Sequence, residues 1–229
     1  MSGKPSNLPE PDAPSPWNVF AESPEGLSWA VALLAVRPLL SLRLASSITE
    51  PWGPIAGLLL SAVLVAGAVL RMGLRPARPR WLPALGTLGI AVAAVAGITA
   101  LQMHLLHLAP GEFLESQSSW RILGAVPAVV RWTAAVLAAP FTEEVLYRGL
   151  LQNMAARVVG KIAAIALVAL LFAAMHTPFK IAFPPMLAVG ILFGILADRH
   201  GVATSFAAHA LYNACALASA TYAIQHAAP

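Results

Sequence analysis

Charge is scarce in this chain. Only 10% of its 229 residues are charged, whereas 59% are hydrophobic, and the mean hydropathy is +0.75. A soluble globular domain carries about 25% charged residues, so one soluble core does not account for this composition. The deficit of charge predicts a protein that crosses the lipid bilayer several times.

Several other features are missing, and each absence narrows the choice of fold and function. Cys215 is the single cysteine, which excludes an intrachain disulfide and a cysteine-based metal cluster. The apolar stretches lack the polar–apolar alternation of a membrane β-barrel. Phosphate-loop, His-Glu-x-x-His and Gly-x-Ser-x-Gly motifs are also missing, and Ser205 and Ser219 have no catalytic-triad context. The long apolar stretches favour helices, and their number predicts an all-α, multi-pass transmembrane bundle of about seven or eight helices.

The chain divides into a polar tail and one apolar domain. Residues 1–24 are rich in Pro, Ser and acidic groups, and are predicted to form a disordered tail rather than a signal peptide. Residues 25–229 are predicted to form a single helical membrane domain. We expect seven apolar segments, at about residues 27–44, 52–70, 81–108, from 122 onward, 162–176, 184–197 and 202–224.

Basic residues cluster in the short loops after the second, fourth and sixth segments. They are Arg71, Arg75, Arg78, Arg80, Arg148, Arg157, Lys161 and Arg199. With seven spans these loops share one side, which the positive-inside rule makes cytoplasmic. The sequence therefore predicts a cytoplasmic N-terminus. The compact chain and the lack of a recognisable targeting sequence suggest a prokaryotic inner membrane. Topology also accounts for the basic pI, so no nucleic-acid partner is expected.

Two adjacent carboxylates, Glu143 and Glu144, interrupt the fourth apolar segment. Ionised groups are costly in the bilayer and usually face a partner, a cavity or a chemical task. Glu144 and Arg148 have the i, i+4 spacing of an ion pair. This leaves Glu143 for chemistry, with Tyr147 one turn along its face. The alternative is an interfacial Glu–Arg pair that anchors a helix end, but it does not explain the second carboxylate.

Two later segments carry further pairs at helical spacing, Phe172 with His176 and His209 with Asn213. Taken singly, they are also typical of interfacial residues or of hydrogen bonds between helices. Together with Glu143, the two histidines form a common catalytic zinc set. Without metal, Glu143 and His176 can activate a water molecule, while His209 and Asn213 stabilise an oxyanion. Both routes suit hydrolysis of an amide bond.

The three motifs resemble those of a known family of membrane proteases. Glu143–Gly149 is similar to the Glu-Glu-x-x-x-Arg motif of the CPBP (CAAX protease and bacteriocin-processing, or ABI) family, which includes the type II CAAX prenyl endopeptidases. Phe172–His176 and His209–Asn213 resemble its Phe-x-x-x-His and His-x-x-x-Asn motifs, in the family's order. The resemblance covers about residues 120–220.

The resemblance implies an all-helical fold with a catalytic cavity inside the membrane. It makes Glu143 the general base and His176 a residue that orients or activates water, with His209 and Asn213 at the oxyanion or at a metal. Glu144, Arg148, Phe172 and Tyr147 are then supporting residues. Family members are usually named metalloproteases, although their dependence on a metal such as zinc is disputed. The expected substrate is a membrane-associated protein or peptide, with prenylated CAAX-like sequences among the candidates.

Two other functions remain open from the sequence. A non-catalytic scaffold or bacteriocin-immunity protein can retain the same motifs. A proton-coupled transporter also uses membrane carboxylates and histidines, but the chain lacks the two-fold hydropathy repeat that would favour it.

The depth of the site raises a structural question. The segment boundaries put Glu143 toward the cytoplasmic side and His176 near the opposite end of its segment. A shared site requires the fifth helix to continue past His176, or the fourth to continue well past Arg148. Pro140 can kink the fourth helix and shift its register.

Overall fold

The computed structural model describes residues 28, 52–71, 73–74, 77–107, 126–176 and 179–226. The predicted tail lies outside these residues, and so does nearly all of the first predicted apolar segment. No strand occurs in the described ranges, which confirms the all-helical prediction there. The predicted count of seven or eight helices is not confirmed, because these ranges contain six.

The six helices have the following bounds. They are α1 (Trp52–Arg71), α2 (Trp81–Leu106), α3 (128–159), α4 (Lys161–Ala174), α5 (Phe179–His200) and α6 (Val202–His226). Three described stretches are long and apolar enough to cross a membrane: Trp52–Arg71, Trp81–Leu106 and Ile181–His200. Helix α4 is equally apolar in character but shorter, with 14 residues.

Helix α3 alternates between two helical geometries. The α-helical segments Ala128–Trp132, Ala139–Glu143 and Gln152–Val159 are separated by the π-helical segments Thr133–Ala138 and Glu144–Leu151. Proline inside a helix lacks an N–H and clashes with the preceding turn. The first π-helical segment, Thr133–Ala138, contains the residue four positions before Pro140, whose carbonyl would meet the proline ring in a regular α-helix. π-Helical turns are rare and often occur at functional sites.

The loops after α1, α3 and α5 meet at one end of the bundle, here called the basic end (Arg80, Arg157, Lys161 and Arg199). Gly160 and Gly201 make the turns there with φ of 80° and 86°, which glycine adopts without strain. The backbone N–H of Arg80 donates to Thr204 Oγ1 at 3.1 Å and so ties α2 to the start of α6. Which end faces the cytoplasm stays a prediction.

The course of α3 answers the question of depth. We expected the Glu-Glu motif toward the end of its helix and Arg148 in the following loop, but α3 continues to Val159 and Arg148 is 1% exposed. The motif therefore lies at the middle of α3. At about 1.5 Å per residue, α4 is too short for a bilayer core of about 30 Å. His176 and Glu144 are each 16 residues from Gly160, at the turn between α3 and α4. Phe172 contacts both Tyr147 and His176, so His176 lies level with the motif.

Candidate active site

Five polar or charged side chains from α3 and α6 form a buried polar cluster. They are Glu143 (8% exposed), Glu144 (0%), Arg148 (1%), Ser205 (0%) and His209 (4%). Charged groups are rarely buried without partners. The contacts within this cluster therefore indicate how the fold tolerates them.

Glu144 accepts contacts from three sides. Arg148 Nη1 lies 3.2 Å from its Oε1, and Ser205 Oγ donates to its Oε2 at 2.6 Å. His209 Nδ1 lies 2.8 Å from Oε1. An ionised carboxylate only accepts hydrogen bonds, so Nδ1 carries the hydrogen in this contact. Glu144 thus fixes the orientation of the His209 ring.

Glu143 faces the other edge of the same ring. Its Oε2 lies 3.9 Å from His209 Nε2, which is longer than a hydrogen bond. The sequence suggested that adjacent carboxylates, pointing in different directions, would have different roles. In the structure they contact one imidazole from two edges, Glu144 at hydrogen-bond distance and Glu143 farther away.

Phe172 packs at the centre of the site and is 1% exposed. Its ring centroid lies 4.5 Å from that of His176 and 6.1 Å from that of His209. The guanidinium of Arg148 lies 4.6 Å from the Phe172 ring centroid, a cation–π distance, and Tyr147 packs edge-on at 5.3 Å. One aromatic ring therefore contacts residues of all three motifs.

His176 follows the last turn of α4 and is partly exposed. Its Nδ1 lies 2.7 Å from the carbonyl oxygen of Phe172. A carbonyl oxygen only accepts, so Nδ1 is the donor, and Nε2 is the nitrogen left for other contacts.

Asn213 lies one turn after His209 on α6. Its Nδ2 donates to the carbonyl oxygen of Ala135 at 2.8 Å, within the first π-helical segment of α3. A carboxamide has a second N–H and a carbonyl oxygen, so this bond leaves part of the amide for a ligand.

Helix α5 contacts α3 through Gly190 and Gly194, whose carbonyl oxygens accept hydrogen bonds from α3 side chains. Arg148 Nη2 donates to the Gly190 carbonyl at 3.3 Å, and Gln152 Nε2 donates to the Gly194 carbonyl at 3.0 Å. A Cβ atom on Gly190 would lie 3.1 Å from Cα of Ala169. Glycine therefore permits the close approach of α5 to α4.

Sequence reasoning missed Ser205, Gln152 and the Gly190–Gly194 pair. Ser205 was set aside because it lacked a catalytic-triad context, yet it hydrogen-bonds Glu144. A signal was present, because Ser205, His209 and Asn213 recur every four residues and form one stripe on α6. Nothing comparable marked Gln152, whose contact depends on how α3 and α5 pack.

A zinc ion held by Glu143, His176 and His209 would need three ligand atoms about 2.0–2.2 Å from one point. Among the residues that the structure describes, no group of three or more His, Cys, Asp or Glu side chains is arranged to hold a metal ion. The side-chain arrangement does not fit a three-ligand zinc site, and zinc stays a prediction from the sequence.

The comparisons with known proteins agree with the motifs. Residues 125–215 match the family model described as type II CAAX prenyl endopeptidase Rce1-like. This stretch contains all three motifs, the whole of α3, α4 and α5, and the first half of α6. No curated protein and no solved structure is similar enough to count as a match. The match over residues 125–215 supports the assignment of this integral membrane chain to the CPBP/CAAX protease family.

Proposed function

We propose that this chain is an intramembrane endopeptidase in which Glu143 activates the water that attacks a peptide bond. The observation that carries the proposal is that two adjacent carboxylates lie at the two edges of one imidazole, Glu144 at 2.8 Å and Glu143 at 3.9 Å. Glu144 is held by Arg148, Ser205 and His209. Glu143 lies 3.9 Å from His209 Nε2, a separation at which a water molecule can bridge two polar groups.

In this mechanism Glu143 accepts a proton from water as the water attacks the carbonyl carbon. The same carboxyl then donates that proton to the leaving nitrogen, so it serves in turn as general base and general acid. His176 orients the water through Nε2, since its Nδ1–H is bonded to Phe172. Phe172 holds this ring by direct packing.

Attack on the carbonyl places negative charge on its oxygen. We assign the stabilisation of this oxyanion to the second N–H of Asn213 and to His209 on the same face of α6. His209 takes this role as an imidazolium, which donates through Nε2–H while its Nδ1–H stays on Glu144. Glu144 fixes the His209 ring, and Ala135 fixes the Asn213 amide. Donors that are positioned in advance stabilise developing charge without reorganisation.

The proposed substrates are membrane-associated proteins or peptides. Prenylated CAAX-like sequences are the first candidates, because the matching family model is named for a CAAX prenyl endopeptidase. The buried polar cluster lies within the apolar helices, which supports cleavage of a segment that reaches it from the bilayer.

The test is cleavage of an internally quenched CAAX-like peptide, farnesylated or unmodified, by the purified chain. We expect Glu143→Gln and His176→Ala each to lower kcat/KM by about 10²–10⁴-fold, the usual contribution of general acid–base catalysis. His104→Ala is the matched control, since His104 is exposed on α2 and its loss should leave turnover unchanged.

Equal turnover by the wild type and both site variants would rule out this mechanism. No cleavage of either peptide by the folded wild type would favour a non-catalytic scaffold. Chelation tests the metal separately. Activity that is lost on chelation and restored by zinc would contradict the metal-free route while leaving a peptidase function intact.

A further inference from the structure

A groove of about 400 Å³ lies between α4 and α5, away from the buried polar cluster. Its apolar wall includes Ile162, Ile165, Ile191 and Ile195. None of these residues belongs to the three motifs. The volume falls within the range of about 300–1,000 Å³ typical of small-molecule sites.

The groove has a charged rim at the basic end. Lys161 begins α4, and Asp198 and Arg199 lie in the last turn of α5. Lys161 Nζ lies 3.3 Å from Asp198 Oδ1, but the lysine side chain is 72% exposed. Such exposed pairs contribute little energy and rearrange easily. The three charges sum to one net positive charge.

This distribution matches the two parts of a phospholipid. The isoleucine wall lies along apolar helices, where an acyl chain would run, and the cationic rim lies at the helix ends, where a headgroup phosphate would lie. Basic pockets between membrane helices are a recurrent way of binding anionic lipid headgroups. A free phosphate would use the rim but would leave the isoleucine wall unoccupied.

We propose that the α4–α5 groove binds one anionic phospholipid, with its phosphate at Lys161 and Arg199 and an acyl chain against Ile162 and Ile195. The lipid would then contact both helices whose close approach places Gly190 beside Ala169. The proposal does not depend on peptidase activity, because the groove shares no residue with the proposed catalytic set.

Native mass spectrometry of the full chain tests this, with release from micelles that contain equal amounts of phosphatidylglycerol and phosphatidylcholine. We expect one phosphatidylglycerol to be retained in preference to phosphatidylcholine. The double variant Lys161→Gln/Arg199→Gln should lower that preference at least tenfold. Ile195→Trp should reduce retention of both lipids by filling the groove.

Two matched controls separate the groove from the general surface. Arg157→Gln removes an exposed charge at the same end, and Leu167→Trp adds an indole at a residue of α4 that is 50% exposed and does not line the groove. Both should retain phosphatidylglycerol like the wild type. Circular dichroism identifies any variant that fails to fold. If Ile195→Trp fails to fold, the result for Lys161→Gln/Arg199→Gln alone decides the proposal.

Four results would overturn the proposal. Equal retention of the two lipids by the wild type would remove the role of charge, and unchanged retention by the folded charge variant would place the lipid elsewhere. Displacement of the lipid by inorganic phosphate would point to a free anion instead. A dimer that Ile195→Trp dissociates would show that a second copy of the chain occupies the groove.

Discussion

The two adjacent carboxylates of α3 differ more in their surroundings than in their sequence positions. Glu144 is fully buried and is contacted by a guanidinium, a hydroxyl and an imidazole. Glu143 is 8% exposed and stands 3.9 Å from the far nitrogen of the same imidazole. The His209 ring is therefore hydrogen-bonded to Glu144 through Nδ1, while its Nε2 faces Glu143 at a longer distance.

This difference separates what holds the site from what we propose does the chemistry. A buried charge is tolerated when an opposite charge and hydrogen bonds replace its lost hydration. Glu144 has an opposite charge and hydrogen bonds beside it, so we expect its replacement mainly to lower the free energy of unfolding. Glu143 is proposed to transfer a proton, so we expect its replacement mainly to lower the rate of peptide cleavage.

The sharpest test of the comparison is Glu144→Gln beside Glu143→Gln. The first change leaves Arg148 buried without its ion-pair partner, and breaking a buried pair costs about 3–5 kcal/mol. We expect a loss of this size in the free energy of unfolding, measured in mixed micelles, and a much smaller loss for Glu143→Gln. Equal losses for the two variants would show that the carboxylates are equivalent structural groups.

A smaller effect is expected from Ser205→Ala. The hydroxyl donates at 2.6 Å to Glu144, and hydrogen bonds to charged groups contribute about 1.5–3 kcal/mol. The unfolding free energy should fall by that amount. Ser219→Ala is the matched control, because Ser219 lies on the same helix at an exposed position. An equal response of both serines would mean that the Ser205 contact does not stabilise the cluster.

The smallest effect on stability is expected where α5 packs against α4 and its Gly190 carbonyl accepts from Arg148. Gly190→Ala places a Cβ atom 3.1 Å from the backbone of Ala169, and overpacking of this kind costs about 1–3 kcal/mol. Gly194→Ala should cost less, because its closest contacts are the side-chain atoms Gln152 Oε1 and Ile165 Cγ2, both at 3.0 Å, which can move. Thermal unfolding of the two variants measures the difference, and the reverse order would contradict the packing of α5 described above.

The membrane character and the motif-bearing segments were predictable because they depend on local composition and spacing. Scarce charge and long apolar runs indicate membrane helices regardless of how those helices pack. The i, i+4 spacing of Glu144 and Arg148 suggested an ion pair, and the structure places the two groups 3.2 Å apart.

The helix ends were harder to predict, as α3 shows. Arg148 was expected in a loop because arginine usually marks the end of a membrane segment. In the structure its charge is matched by Glu144, and its Nη2 donates to the Gly190 carbonyl. The helix can therefore continue to Val159 without exposing an unpaired cation to the bilayer.

The sequence by itself determined the class of the protein, the three motifs and their order, because residue type and helical spacing carry that information. Only the tertiary structure decided that His209 lies between two carboxylates, that Ser205 joins the cluster and that α5 carbonyls support Arg148. These contacts join residues that are 42 to 66 positions apart. Their distances depend on how whole helices pack, and no local pattern specifies that packing.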